Sequence, residues 1–201
     1  MIAIVDYGMG NLGSVEKALR AVAAEPVITG DPQALEQASG LILPGVGAFD
    51  DCMSGLTQSG LVTPLLELVA AGKPFLGICL GLQMLFERSE EGKSPGLGVF
   101  PGRVERFRHE LKIPQIGWNQ VWVKQAAPHL EGVTDGSWFY FVHSYYVVPE
   151  DPSIVATTTE YGHEFCSGVW KDNVFASQFH PEKSQAAGLQ VLGNFKRLAE
   201  G

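Results

Sequence analysis

Residues 74–83 read PFLGICLGLQ: a short apolar run, Phe75 to Ile78, meets a cysteine between two glycines and passes into a helix-like segment, Leu80 to Arg88. The frame Gly77-Ile78-Cys79-Leu80-Gly81 has the form G-x-C-x-G. It is the thiol counterpart of a nucleophile elbow, a strand-to-helix turn so sharp that glycines are needed two residues either side of the nucleophile. A strand feeding directly into a helix is also the unit of an α/β fold, so these residues bear on the architecture as well as on the chemistry.

The same unit repeats upstream. Ile2 to Val5 is predicted as a strand, Ser14 to Ala24 carries Val15, Leu19 and Val22 at helical spacing, and Pro26 to Thr29 is β-like again. Asp31-Pro32 reads as a helix N-cap followed by proline at the first helical position. Leu41 to Leu43 is a third strand, and Pro64 to Ala71 a helix opened by Thr63. Beyond residue 98 the texture turns to strands: Val104 to Arg108, Val121 to Lys124, Trp138 to Val148, Ile154 to Thr159, Phe165 to Trp170 and Val174 to Phe179. Gln185 to Glu200 closes as a helix with Leu189, Leu192, Phe195 and Leu198 on one side. The expected fold is α/β: an open, doubly wound, mostly parallel sheet with appended antiparallel strands. Without linker or repeat, residues 1–201 read as one domain.

Composition excludes several function classes. The 14 Lys and Arg are outnumbered by 22 Asp and Glu, for a net charge of -8, and the basic residues form no stripe, which disfavours nucleic acid and anionic membranes. No apolar run is long enough to span a bilayer, and Asp6 interrupts the N-terminal strand, so neither a membrane span nor a signal peptide is read. Cys52, Cys79 and Cys166 are odd in number and form no CxxC pair. This disfavours both a disulfide framework and a zinc site, and fits a reducing cytoplasm. No metal or cofactor is expected.

A thiol at the start of a helix lies against the positive end of the helix dipole, which favours the thiolate. Alone, such a cysteine reads more readily as a small buried hydrophobe, which is what most free cysteines are. Of the five histidines, His180 ends a strand-like run and opens His180-Pro181-Glu182. Proline keeps His180 extended, and residues two apart in extended chain share a side, which lets Glu182 hold one imidazole nitrogen while the other faces the thiol. Cys79, His180 and Glu182 then form a nucleophile, base and orienter. His109 and His129 lie in polar stretches and read as bystanders. Pro44-Gly45-Val46-Gly47 follows the strand expected beside that of Cys79. A peptide N–H of Val46 or Gly47, with that of Leu80, supplies an oxyanion hole. Gln83, one turn after Cys79, sits beside the thiol.

PGVGAFDD, GICLGLQMLFERSEEG and FHPEKS, in this order, resemble the class I (triad) glutamine amidotransferases over essentially the whole chain. The resemblance implies that Cys79 attacks the glutamine side-chain amide, that His180 hands a proton to the leaving ammonia, and that Glu182 orients His180. It also implies that Gly47, Gln83, Glu91, Ser144 and Tyr145 bind glutamine. IVDYGMGNLGSVEKAL, KIPQIGWNQV and FVHSYY resemble those members of the family that pass ammonia to a (β/α)8-barrel cyclase subunit in a heterodimer. There the docking face includes the positions of Asn11, Trp118, Tyr140 and Lys183. The bulky Val46 in PGVG suggests an oxyanion loop at rest, hence low activity alone and stimulation by the partner with its ligand. A glutaminase for another ammonia-channelling synthase, a stand-alone cysteine hydrolase and a silent flavodoxin-like binding module are the alternatives.

Overall fold

The alternation of the first strand divides the molecule into layers. In the computed structural model, which describes residues 1–201, β1 (Ile2–Val5) turns Ile2 and Ile4 to one face and Ala3 and Val5 to the other, and all four are fully buried. A strand buried on both sides belongs inside a sheet covered by helices on both faces. β1 lies between β2 (Pro26–Thr29) and β3 (Gly40–Gly45), parallel to both, and β4 (Phe75–Cys79) follows parallel to β3. α1 (Leu12–Ala21) and α6 (Gln185–Glu200) pack on the face of Ile2, Ile42 and Ile78. On the face of Ala3, Leu41 and Leu43 lie α2 (Pro32–Gln37), α3 (Phe49–Gln58) and α4 (Val62–Ala70). This is the doubly wound α/β fold expected.

The antiparallel part begins after the one-turn helix α5 (Leu80–Gln83). It comprises β6 (Gly102–Arg106), β7 (Gln115–Val123), β8 (Ser137–His143), β9 (Tyr145–Pro149), β10 (Val155–Glu160) and β11 (Glu164–Lys171), with the two-residue β5 (Arg88–Ser89) laid parallel beside β6. β12 (Val174–Ser177) then returns to the parallel core beside β4, Ser177 opposite Ile78. The spine of this 12-stranded sheet runs β2-β1-β3-β4-β12-β11-β10-β7-β8, while β6 pairs with β5 and β9, and β9 touches β11. β4 thus lies between β3, which leads into Val46, and β12, which leads into His180. No helix is long and apolar enough to cross a membrane.

Several elements depart from expectation for physical reasons. The helix predicted over Leu80 to Arg88 stops at Gln83: the N–H groups of Leu85 and Phe86 turn to the carbonyls of Leu82 and Gln83, that of Glu87 donates to the Gly102 carbonyl, and the carbonyls of Met84, Leu85, Phe86 and Glu87 accept from Leu97, Phe100, Gly98 and Gly96. The single strand predicted over Trp138 to Val148 is two, broken at Ser144. α4 starts two residues before Pro64, whose missing N–H falls in the first turn, where none is needed. α3 was unmarked in the sequence, lacking a side-chain cap at Ala48, yet Phe49, Cys52, Met53 and Leu56 form its buried stripe. α6 buries Val191, Leu192, Phe195 and Ala199, with Leu189 and Leu198 at the margins. His129, read as a loop bystander, is a core side chain stacked on Phe175 at 4.7 Å and 8°.

Candidate active site

Cys79 ends β4 at φ 56 and ψ -109, a positive φ that non-glycine residues adopt at a cost of order 1–3 kcal/mol. The glycines around it answer to close approach. A Cβ on Gly81 would lie 1.9 Å from the Leu43 carbonyl oxygen, one on Gly77 would lie 2.8 Å from that of Gly81, and one on Gly45 would lie 2.7 Å from Leu80 Cβ. The elbow is therefore pressed against β3 at the C-terminal end of the parallel strands, where open α/β sheets place their sites. α5 has a single turn, so the dipole it offers the thiol is small.

The main neighbour is His180. β8 fixes its backbone: His180 N donates to the Tyr140 carbonyl at 2.9 Å, Ser184 Oγ donates to the His180 carbonyl at 2.6 Å, and Tyr140 N donates to Ser184 Oγ at 3.0 Å. His180 itself is extended, as the proline requires, but Pro181–Lys183 form a 3-10 turn rather than continued strand. The turn still brings Glu182 Oε1 to 2.7 Å from His180 Nδ1, with each side chain only 2% exposed. His180 Nε2 is buried and without a hydrogen-bonded partner, and His180 shares a cleft with Cys79. Burial pulls the His180 pKa down, but the negative charge of Cys79 and the Glu182 carboxylate outweigh it and raise the group to about 10. An imidazolium, ready to release a proton to a leaving group, is the state this favours for His180.

The cleft encloses about 270 Å³ and is lined by Val46, Gly47, Leu80, Gln83, Glu91, Ser144 and Tyr145, together with Pro114, Val142 and His143. Every residue expected at the oxyanion hole or against glutamine lies on it. Gln83 Nε2 donates to the Tyr145 carbonyl at 3.2 Å and to Gln178 Oε1 at 3.0 Å, while Gln83 Oε1 is buried and unpartnered. Glu91 Oε2 accepts from Phe49 N at 3.0 Å, supplying the cap that Ala48 lacks, and burial raises its carboxyl above the ordinary value. Val46 is 37% exposed, its carbonyl takes the Cys52 thiol at 3.5 Å, and Gly47 has φ 101. Burial also raises the other two thiols, Cys166 to about 12, which leaves them inert beside Cys79.

Sequence reasoning missed His143 and Gln178. His143 donates from Nδ1 to the Tyr145 carbonyl at 2.7 Å, and its Nε2 lies 2.7 Å from the Gln115 side-chain amide. Burial lowers it to about 4, so it is neutral. Gln178 Nε2 lies 3.6 Å from Cys79 Sγ. The one available signal for it was its place two residues before His180, on the same side of a strand-like run.

The pattern of the class-I glutamine amidotransferases matches residues 3–197. The chain belongs to that family. Among its relatives, imidazole glycerol phosphate synthase subunit HisH of Syntrophotalea carbinolica is 55% identical over 97% of this chain and 98% of its own. The subunit of the same name from Geobacter sulfurreducens is 52% identical, over 98% of each chain. A crystal structure of a glutamine amidotransferase superposes on the whole chain with a TM-score of 0.79 at 21% identity, covering 99% of that chain. The glutaminase domain of Trypanosoma brucei CTPS with bound acivicin gives 0.71 at 16% identity, over 99% of this chain and 93% of its own. Those two likenesses are of fold.

On this amidotransferase an aromatic face borders the cleft. Trp118 pairs with Tyr140 across β7 and β8, their rings 6.2 Å apart, and Lys183 Nζ stands 5.7 Å from the Tyr140 ring. Asn11 caps α1, which packs against the Pro181–Lys183 turn. By strand alternation Ile116, Trp118 and Trp122 of β7 project to the same side as Trp138, Tyr140 and Val142 of β8, and the first three and Trp138 are exposed. Val142 also lines the cleft, so this apolar face and the cleft share a wall.

Proposed function

We propose that the chain is the glutaminase subunit of an imidazole glycerol phosphate synthase in histidine biosynthesis. It acts in a cytoplasmic heterodimer with a (β/α)8-barrel cyclase subunit, which uses the ammonia to make imidazole glycerol phosphate and aminoimidazole carboxamide ribonucleotide. The convergence of Cys79, His180 and Glu182 on one cleft carries the chemistry. The names of relatives more than half identical along almost their whole length carry the pathway.

Glutamine lies with its side-chain amide at Cys79 and its α-carbon end toward Ser144, Tyr145 and Glu91, where the free Glu91 oxygen meets the ammonium group. The Cys79 thiolate attacks the amide carbon, and charge moves to the carbonyl oxygen, which the N–H of Leu80 and one from Val46 or Gly47 receive. His180 gives its proton to the departing nitrogen, the C–N bond breaks, and a γ-glutamyl thioester remains. Water then attacks this ester while neutral His180 takes its proton, releasing glutamate and restoring the thiolate. Glu182 holds the imidazole tautomer and orientation throughout. The anchored Val46 carbonyl restrains the oxyanion loop, in keeping with low activity until the partner docks against Trp118, Tyr140, Lys183 and Asn11.

The test is glutamine-dependent ammonia transfer on mixing the chain with a purified barrel cyclase. Cys79→Ala abolishes ammonia release, and release that survived it would overturn the assignment. Trp118→Ala weakens assembly by about 30-fold or more, as for a buried tryptophan hot spot, measured by titration calorimetry.

A further inference from the structure

Gln178 is fully buried at the end of β12, where an uncharged amide side chain needs partners to justify its place. Its backbone is fixed by donation from Gln178 N to the Ser167 carbonyl at 2.9 Å. Its side chain joins two groups of the site: Oε1 accepts from Gln83 Nε2 at 3.0 Å, and Nε2 lies 3.6 Å from Cys79 Sγ. Which end of an amide faces which neighbour follows from what each neighbour can offer. The Tyr145 carbonyl can only accept, and it takes both His143 Nδ1 and Gln83 Nε2. That fixes the NH₂ end of Gln83 toward it, and the same NH₂ demands an acceptor from Gln178. Oε1 of Gln178 is thereby turned to Gln83, and the Gln178 NH₂ is left to the sulfur.

We propose that Gln178 is a further residue of the catalytic site, whose side-chain N–H donates to the Cys79 thiolate and holds it in place before it attacks and again when the thioester releases it. The assignment rests on the glutaminase reading, since it gives the thiolate a step to perform. The proton on His180 is committed to the departing nitrogen and is one the sulfur could also take, so a second donor that keeps its own proton holds the anion as a nucleophile. An amide N–H does not ionise and keeps its donor through the whole cycle. The chain from the Tyr145 carbonyl through Gln83 and Gln178 to Sγ also ties a wall of the glutamine cleft to the nucleophile. The titratable groups around the thiol include His180, Tyr7 and Cys52, with Glu91 and His143 on the same cleft and Glu182 behind His180, and the variants below leave all of them intact.

The readout is the rate of Cys79 alkylation by iodoacetamide against pH, followed by mass spectrometry on the folded chain. Gln178→Met removes the donor at similar volume; alkylation at neutral pH slows by about tenfold and the pH of half-maximal rate rises by about one unit. Gln178→Glu keeps the shape and replaces the donor with an acceptor, and its profile shifts further in the same direction. Gln83→Leu leaves Gln178 in place but removes the donor that orients it, giving a smaller shift of the same sign. A residue that merely fills space would change the amplitude or the melting temperature but not the midpoint, so an unmoved midpoint in both Gln178 variants overturns the proposal. Iodoacetamide needs no glutamine site. Failure of the wild-type chain to hydrolyse glutamine would sink the glutaminase reading, while the midpoints still decide the amide–thiolate contact.

Discussion

At the scale of single residues, Glu182 shows how much one buried contact does. It does not line the cleft, yet it sits 2.7 Å from His180 Nδ1 and helps raise that group to about 10. Glu182→Gln keeps the shape but loses the charge and the tautomer preference; the expected result is a fall in kcat for glutamine of about 10³-fold with KM little changed. The folded state holds the His180 proton more tightly than the unfolded chain, where histidine titrates near about 6.5. The contribution to stability is therefore complete below that pH and is lost as pH rises through about 10. Denaturant titrations should show the wild type ahead of Glu182→Gln most clearly at mildly acidic pH, with the gap closing toward pH 10; a gap that widened would contradict the pairing. The triad was legible in the sequence because its signals are local: a glycine frame around Cys79 and a proline between His180 and Glu182. Gln178 and His143 were not, because a buried amide or imidazole takes its meaning from partners on other strands, which spacing alone does not reveal.

At the scale of elements, the turn between β4 and α5 is held by absence of side chains. Gly81→Ala would put a methyl group 1.9 Å from the Leu43 carbonyl, backbone that cannot swing aside. Loss of more than about 3 kcal/mol of stability is expected, with the elbow geometry lost alongside it. Gly13, inside α1, has nothing within 4 Å of its Cβ position, and Gly13→Ala should instead stabilise by about 0.5 to 1 kcal/mol. Thermal unfolding of the two variants side by side distinguishes a glycine needed for approach from one that only weakens a helix. The repeated strand–helix alternation made the parallel half of the fold readable, down to the Asp31 cap, whose side chain accepts from Gln33 N at 3.1 Å. What could not be read was decided by tertiary hydrogen bonds. Glu91, 42 residues away, caps α3, and the segment after α5 is bound by residues 96–102, with Glu87 N donating to the Gly102 carbonyl and Gly96 N to that of Glu87.

At the scale of the whole molecule, the sheet separates two apolar layers, and the acid limit of the fold is written into one of them. His129 lies between Phe175 of β12 and Phe195 of α6, at centroid distances of 4.7 and 6.1 Å, and its Nδ1 has no partner. Burial alone lowers it from 6.5 to about 4. Above pH 6.5 the ring is neutral in both the folded and unfolded states and exacts no penalty. Below it the unfolded chain takes up a proton that the folded chain refuses, so stability drains away as pH falls toward about 4 and levels off beyond, where the folded histidine also charges. The slope integrates to about 3 kcal/mol for a shift of this size. His129→Phe keeps a flat ring against Phe175 and removes the proton site. Its stability should match or exceed the wild type near neutrality and stay flatter on acidification, the difference growing to about 3 kcal/mol by pH 4 in urea titrations. Equal acid slopes for the two proteins would mean that the loss comes from elsewhere. The nearest alternative source is His143, lowered to about 4 by its own burial against the glutamine cleft. There acidification would charge a residue that fixes the Tyr145 carbonyl, so activity would fail together with stability, whereas the His129 effect unfolds the protein without first touching the site.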